Sequence, residues 1–159
     1  MKWIKRFLIA ALVVLVVLQF FGPERNESDN GYANVTAFME ETKPVPEVKA
    51  ILEGSCFDCH SDHTTYPWYA NVAPVSFWLD EHIEDGKKHL DFSKWSEYSL
   101  KRKDHKLDEL IEEVGEKEMP LNSYTWTHEE ANLTSDQIEA MITWAKAVRT
   151  TYDLKAIPQ

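Results

Sequence analysis

The stretch Cys56-Phe57-Asp58-Cys59-His60 contains both cysteines of the 159-residue chain. Two cysteines separated by two residues and followed at once by a histidine form the pattern of c-type haem attachment. Two thiols at this spacing on one turn reach the two vinyl groups of a porphyrin and form thioethers, while the adjacent imidazole binds the iron. The motif therefore predicts one covalent haem c, with thioether bonds at Cys56 and Cys59 and His60 as the proximal iron ligand.

Three other kinds of site use paired cysteines. A thioredoxin-like dithiol normally follows a strand in an α/β context, which this sequence lacks. A zinc site that includes His60 or His63 needs a second Cys/His pair at finger-like spacing, and the sequence offers none. A disulfide between Cys56 and Cys59 is strained and leaves His60 without a role. Haem attachment is therefore the favoured interpretation, with these three as alternatives.

A distal iron ligand is expected at Met119. Pro120 disfavours the α conformation at the residue before it, so Met119 should leave a helix and enter a loop that presents its thioether. The alternative for Met119 is ordinary packing in the core. His128 is the main rival as distal ligand.

Aromatic residues cluster along the chain around these motifs. Their rings suit the wall of a haem pocket, with N–H or O–H groups available to the propionates, although the same residues serve any small core. The candidate pocket residues are Tyr66, Trp68, Trp78 and Trp126.

Apolar periodicity predicts an all-α fold, a small helical domain around one haem. Four segments place apolar residues at helical spacing, and no segment shows convincing strand alternation. These helices are predicted directly before the motif, after Pro74, over residues 104–117 and after the capping-box sequence Thr134-Ser135-Asp136-Gln137.

The N-terminal residues differ from the rest of the chain. Three basic residues precede an apolar run from Phe7 to Phe21, which ends without a small-x-small cleavage site. We expect an uncleaved signal anchor over residues 1–22, with a cleaved secretory signal as the alternative. Because the basic residues precede the run, the domain should lie on the periplasmic side of the cytoplasmic membrane, behind one N-terminal span. Residues 23–43 are predicted to form a flexible spacer and residues 44–159 the haem-binding domain.

The chain is acidic, with a formal net charge of −10. Such a surface repels phosphate, so nucleic acid is not expected as a partner. Acidic charge favours solubility and also steers a protein toward a basic redox partner.

The motifs together resemble the bacterial haem-binding domain family related to cytochrome c. The resemblance covers roughly residues 45–150, and the haem motif, aromatic tract, Met-Pro loop and C-terminal helix occur in the family's order. It is carried by Cys-Phe-Asp-Cys-His-Ser-Asp-His from Cys56, the aromatic tract from Tyr66 to Trp78, and Glu-Met-Pro-Leu-Asn-Ser-Tyr-Thr-Trp from Glu118. The resemblance implies a cytochrome-c-like helical fold, covalent haem, His60 as proximal ligand and Met119 at the position of the Met-Pro axial ligand.

These patterns predict a membrane-anchored monohaem protein that transfers single electrons and is not an enzyme. His/Met ligation saturates the iron and favours electron transfer at a raised potential. The alternative is a haem-based sensor or small-ligand-binding protein in which the sixth position is open or weakly held. A peroxidase-type enzyme would need an open iron and a distal acid/base group, which the sequence does not identify.

Overall fold

Helices account for the regular secondary structure of the computed structural model, which describes residues 2–156 and the side chains of residues 2–153. Met1 and residues 157–159, which belong to the first and last predicted segments, lie outside this range. The helices are α1 (Lys2–Leu18), α2 (Thr36–Thr42), α3 (Pro46–Ser55), α4 (Phe57–His60), α5 (Val75–His89), α6 (Leu100–Gly115), α7 (Asn122–Thr125) and α8 (Ser135–Ala156). Short 3-10 helices occupy Gly31–Val35, Trp68–Asn71, Phe92–Glu97 and Glu129–Ala131.

The four predicted helices correspond to α3, α5, α6 and α8. Helix α6 begins earlier than predicted because the Ser99 side chain caps it, accepting a hydrogen bond from the Arg102 amide at 3.3 Å. The capping box of α8 forms in both directions. The Thr134 hydroxyl accepts from the Gln137 amide at 3.3 Å, and the Gln137 side chain accepts from the Thr134 amide at 2.8 Å.

The hydrophobic core lies between α2, α3, α6, α8 and the 3-10 helix Phe92–Glu97. Trp95 and Phe38 are its largest fully buried side chains. Helices α6 and α8 form the most extensive pair, and Arg149 of α8 joins them at the surface through ion pairs with Asp104 and Asp108. Ion pairs near a protein surface typically contribute about 0–1 kcal/mol each, less than the burial of one large apolar side chain.

The predicted spacer over residues 23–43 is wrong for its second half. Residues 31–42 form the 3-10 helix Gly31–Val35 and helix α2, and Val35 and Phe38 are buried in the core. The Phe38 ring packs against Phe92 with a centroid distance of 4.5 Å and against Trp95 at 5.0 Å. A few large apolar side chains, spaced three residues apart among polar ones, are enough to fold this segment onto the domain.

The predicted membrane segment is also wrong, and with it the prediction of one N-terminal span. Among residues 2–156, no helix is both long enough and apolar enough to cross a membrane. Helix α1 has 17 residues, which at about 1.5 Å per residue falls short of a hydrocarbon core of roughly 30 Å. After it ends at Leu18, the side-chain amide of Gln19 accepts a hydrogen bond from the Ala73 N–H at 3.0 Å and donates one to the Ala73 carbonyl at 3.1 Å.

Helix α4 contains Cys59 and directly follows Cys56. It contacts α3, α5 and the 3-10 helix Phe92–Glu97. It follows α3 directly, since the Cys56 amide donates to the Leu52 carbonyl at 3.1 Å and ends that helix. The chain therefore turns at Cys56 and starts a second, single-turn helix. This turn positions the candidate site.

Candidate functional site

One helical turn brings the two cysteines and the histidine together. The amides of Cys59 and His60 both donate to the Cys56 carbonyl, at 3.3 and 3.0 Å. Both cysteines are half-buried free thiols. The turn therefore presents the two sulfur atoms and the imidazole from one short, hydrogen-bonded unit.

Phe57 fastens this turn to the core. Its side chain is 1% exposed, and its ring packs edge-to-face on Phe92 with a centroid distance of 5.3 Å. Tyr32 and Phe38 contact other parts of the same ring, at 5.8 and 6.4 Å. Because the neighbouring residue is held by aromatic packing, Cys56 and Cys59 have little freedom to move relative to the domain.

The His60 imidazole is oriented by the end of α5. Its Nδ1 lies 2.9 Å from the Leu90 carbonyl oxygen, which can only accept, so Nδ1 carries the hydrogen. Burial lowers the pKa of His60 below its usual value, although the Leu90 and Gly86 carbonyls act in the opposite direction. The imidazole is therefore neutral at neutral pH, and Nε2 holds the lone pair that binds metal.

The environment of the cysteines keeps them as thiols. Burial raises the pKa of both Cys56 and Cys59 to about 12, and repulsion by a charged Cys59 thiolate adds to the increase at Cys56. A dithiol that exchanges disulfides needs a lowered pKa instead. Nor does the described part of the chain contain a group of three or more His, Cys, Asp or Glu side chains placed to hold a metal ion. Neither the redox-dithiol nor the zinc alternative gains support.

Gly86 allows α5 to lie directly against residues 56–60, here called the cysteine turn. A Cβ atom at this position would lie 2.7 Å from the Cys59 carbonyl oxygen, closer than real Cβ atoms approach any backbone atom. The same stretch of α5 supplies the Leu90 carbonyl that orients His60. The close approach at Gly86 and the orientation of the imidazole therefore belong to one helix–helix contact.

Asp58, between the two cysteines, accepts hydrogen bonds from three segments of the chain. Its Oδ1 accepts from the Tyr32 hydroxyl at 2.6 Å and from the Thr65 amide at 2.9 Å. Its Oδ2 accepts from the Tyr124 hydroxyl at 3.0 Å. The cysteine turn is thereby connected to the segment before α2, to the chain just after the motif, and to α7.

Met119 lies in the loop between α6 and α7, as the sequence predicts. It is half-buried, packs against the core, and borders a cavity of about 150 Å³ together with Leu133 and Ile138. The lining of this cavity does not include the cysteine turn. One side of Met119 therefore borders this open space.

His128, the rival distal ligand, already has partners for both ring nitrogens. Nδ1 lies 3.2 Å from the Glu130 carboxylate and Nε2 lies 3.3 Å from the Tyr69 hydroxyl. Its ring stacks on Tyr124, with a centroid distance of 4.2 Å and an interplanar angle of 9°. Binding iron would require His128 to break one of these hydrogen bonds.

The four candidate pocket aromatics lie in different surroundings. Trp68 and Trp126 are each 79% exposed, and Trp78 is 43% exposed with its ring against His82. Tyr66 is half-buried; its hydroxyl accepts from the Asn26 amide at 2.9 Å, and it lines a cavity of about 190 Å³ beside residues 19–25. The structure does not bring these four residues together around the cysteine turn.

Comparison with models of known protein families shows which family the chain belongs to. The model of the haem-binding domain family matches residues 13–147. The chain belongs to this family. Searches of curated proteins and of solved structures find no match. The predicted membership of a haem-binding domain family is thus confirmed, and the family match also includes residues 23–43, which were predicted to be a spacer.

The donor set of this haem-binding domain suits a haem iron. A neutral imidazole whose Nδ1–H is held by a backbone carbonyl is the usual form of a histidine ligand. His60 would hold the iron through Nε2, and the two thiols of the same turn lie on either side of Phe57-Asp58. Bound haem supplies an iron centre that changes its charge by one electron.

Sequence reasoning missed three residues that build the site: Asp58, Gly86 and Leu90. A glycine inside an amphipathic helix signals a close backbone approach, so Gly86 had a recognisable pattern. Asp58 stands at a variable position of the haem motif, and its partners are distant in sequence. Leu90 acts through its carbonyl group, which no side-chain pattern reveals.

The contact at Gly86 predicts opposite effects for two glycine-to-alanine substitutions. Gly86→Ala should lower the free energy of unfolding by about 1–3 kcal/mol, because the added methyl overlaps backbone that cannot easily shift. Gly54→Ala is the matched control in another helix, where a Cβ meets nothing within 4 Å; it should raise stability by up to about 1 kcal/mol. Urea unfolding measures both. Equal stabilisation by the two substitutions would contradict the close approach of α5 to Cys59.

Proposed function

We propose that this haem-binding domain attaches one haem c through thioether bonds at Cys56 and Cys59 and transfers single electrons. His60 is the proximal ligand in this proposal, and Met119 is the distal ligand. One observation carries the proposal: the Leu90 carbonyl orients His60, and His60 lies on the same helical turn that presents both thiols.

Each residue of the turn has a distinct task. Burial raises the pKa of Cys56 and Cys59 and so disfavours the thiolate that disulfide exchange needs. In this proposal each S–H adds across one haem vinyl group, so that sulfur bonds to one vinyl carbon and hydrogen to the other. The Leu90 carbonyl holds the proton of His60 on Nδ1, which leaves Nε2 free as the iron ligand and raises its basicity. Packing of Phe57 keeps the turn in place, so a change of iron charge meets a site with little freedom to reorganise.

Covalent attachment is tested by haem retention after denaturation. The chain, produced in cells with haem c assembly machinery, should keep its haem on a denaturing gel. Cys56→Ser and Cys59→Ser should each retain less haem, and the double variant should retain none, because no thioether remains. A colourless wild-type band, or a double variant that keeps its haem, would overturn covalent attachment through these thiols.

Met119 is proposed as the distal ligand because its loop lies beyond the end of α6 and one side of the residue borders open space. A thioether ligand raises the reduction potential of haem iron relative to stronger donors. Saturation of the iron by His60 and Met119 favours electron transfer over chemistry at an open position.

Axial ligation is tested by comparing two methionines. Met119→Ala should remove the far-red absorption band of methionine-bound ferric haem and lower the midpoint potential. Met39→Ala is the matched control, since Met39 is also half-buried and packed against the core; it should leave band and potential unchanged. Ferric spectra that are the same in both variants would exclude Met119 as a ligand.

A sensor or small-ligand-binding protein is the second candidate function. It is favoured by one observation, that the cavity beside Met119 does not include the cysteine turn among its lining residues. Carbon monoxide binding separates the two. An electron carrier with a held sixth ligand should bind it weakly, whereas rapid binding to the ferrous wild type would favour the sensor.

The proposed redox partner is a basic protein. The formal net charge of −10 favours steering of a cationic surface toward this chain. The rate of electron transfer to such a partner should then fall as ionic strength rises; a rate independent of salt would contradict this choice of partner.

A further inference from the structure

The Asp58 carboxylate links the cysteine turn to the segment that follows Met119. Tyr124, in α7, donates its hydroxyl to Oδ2 of Asp58 at 3.0 Å. Only two residues, Pro120 and Leu121, separate Met119 from the start of α7 at Asn122. The bond therefore fixes the far end of the Met119 loop directly on the haem motif.

The near end of the same loop is fixed by α6. The Glu113 carbonyl accepts from the Glu118 amide at 2.9 Å and from the Met119 amide at 3.1 Å. Bonds of this kind close the C-terminus of a helix. Met119 is thus held on one side by the end of α6 and on the other by the bond between Tyr124 and Asp58.

The surroundings of Tyr124 keep its hydroxyl as the donor in the hydrogen bond to Asp58. Burial raises the pKa of Tyr124 above its usual range, and the Asp58 carboxylate adds to the effect. The phenol therefore stays protonated and donates to the carboxylate over the physiological pH range. The stacked His128 ring covers one face of Tyr124 and limits its rotation. A hydrogen bond to a charged acceptor is among the stronger ones in proteins.

We propose that Asp58 is a positioning residue, which holds the Met119 loop on the cysteine turn through Tyr124. The inference rests on the proposed function, since it explains how the loop of the distal ligand is kept near the haem motif. It assigns a task to one of the two residues between the cysteines, positions that the attachment chemistry itself leaves open.

The test compares two tyrosines that donate to the same carboxylate. Tyr124→Phe removes the bond to the Met119 loop, whereas Tyr32→Phe removes the 2.6 Å bond from the segment before α2 and leaves that loop alone. Asp58→Asn weakens both. Each variant is made in the full haem-loaded chain, and three properties are measured: haem retention after denaturation, the far-red band of methionine-bound ferric haem, and hydrogen exchange of residues 119–125.

Tyr124→Phe and Asp58→Asn should retain haem on the denatured chain but lose intensity in the far-red band. In both variants the hydrogens of amides 121–125 should exchange about tenfold faster, which is the effect of losing one hydrogen bond to a charged group. Tyr32→Phe should keep the band and the slow exchange. Equal effects of Tyr124→Phe and Tyr32→Phe, or none from Tyr124→Phe, would overturn the role of Asp58. If the wild type itself lacks haem or the far-red band, the proposed function fails instead, and hydrogen exchange still tests the Asp58–Tyr124 link.

Discussion

The hydrogen bond from His60 to the Leu90 carbonyl depends on how closely α5 lies against the cysteine turn. That distance is set at Gly86, where any side chain would collide with the Cys59 carbonyl. The contact therefore determines three things at once: the place of the turn, the orientation of the imidazole and the tautomer it adopts. Phe57 also fixes the turn, by packing into the core.

The network around Asp58 extends this constraint to parts of the chain that are far apart in sequence. Tyr32, Thr65 and Tyr124 each donate to one carboxylate between the cysteines. These three donors add polar contacts to the packing of the Tyr32 ring on Phe57 and join α7 and the Thr65 segment to the same carboxylate. A binding site built from a single turn thus gains a second level of support from polar contacts, and this support includes the loop of Met119.

The sequence predicted the local features of this domain well. The capping box at Thr134 and the helices with strong apolar periodicity depend on residues within one or two turns of each other, and both are found in the structure. The family identified from these motifs is confirmed by the match over residues 13–147. The roles of Cys56, Cys59, His60 and Met119 remain predictions, because the matching family shows haem binding and not the form of attachment.

The features that sequence reasoning missed depend on long-range contacts. Phe38 lies in a polar stretch predicted to be a spacer, yet its ring is completely buried against residues more than fifty positions away. The N-terminal apolar run predicted a membrane span, but the helix ends at Leu18 and no helix within the described residues has the length and apolar character to cross a membrane. Composition measures neither where a helix stops nor what a lone aromatic residue packs against.

The most direct test of the account is a crystal structure of the haem-loaded chain. It should show thioether bonds from Cys56 and Cys59, the iron on Nε2 of His60, and Nδ1 still within hydrogen-bond distance of the Leu90 carbonyl. A structure with both thiols unmodified, or with the His60 ring turned away from Leu90 and the iron bound elsewhere, would contradict it.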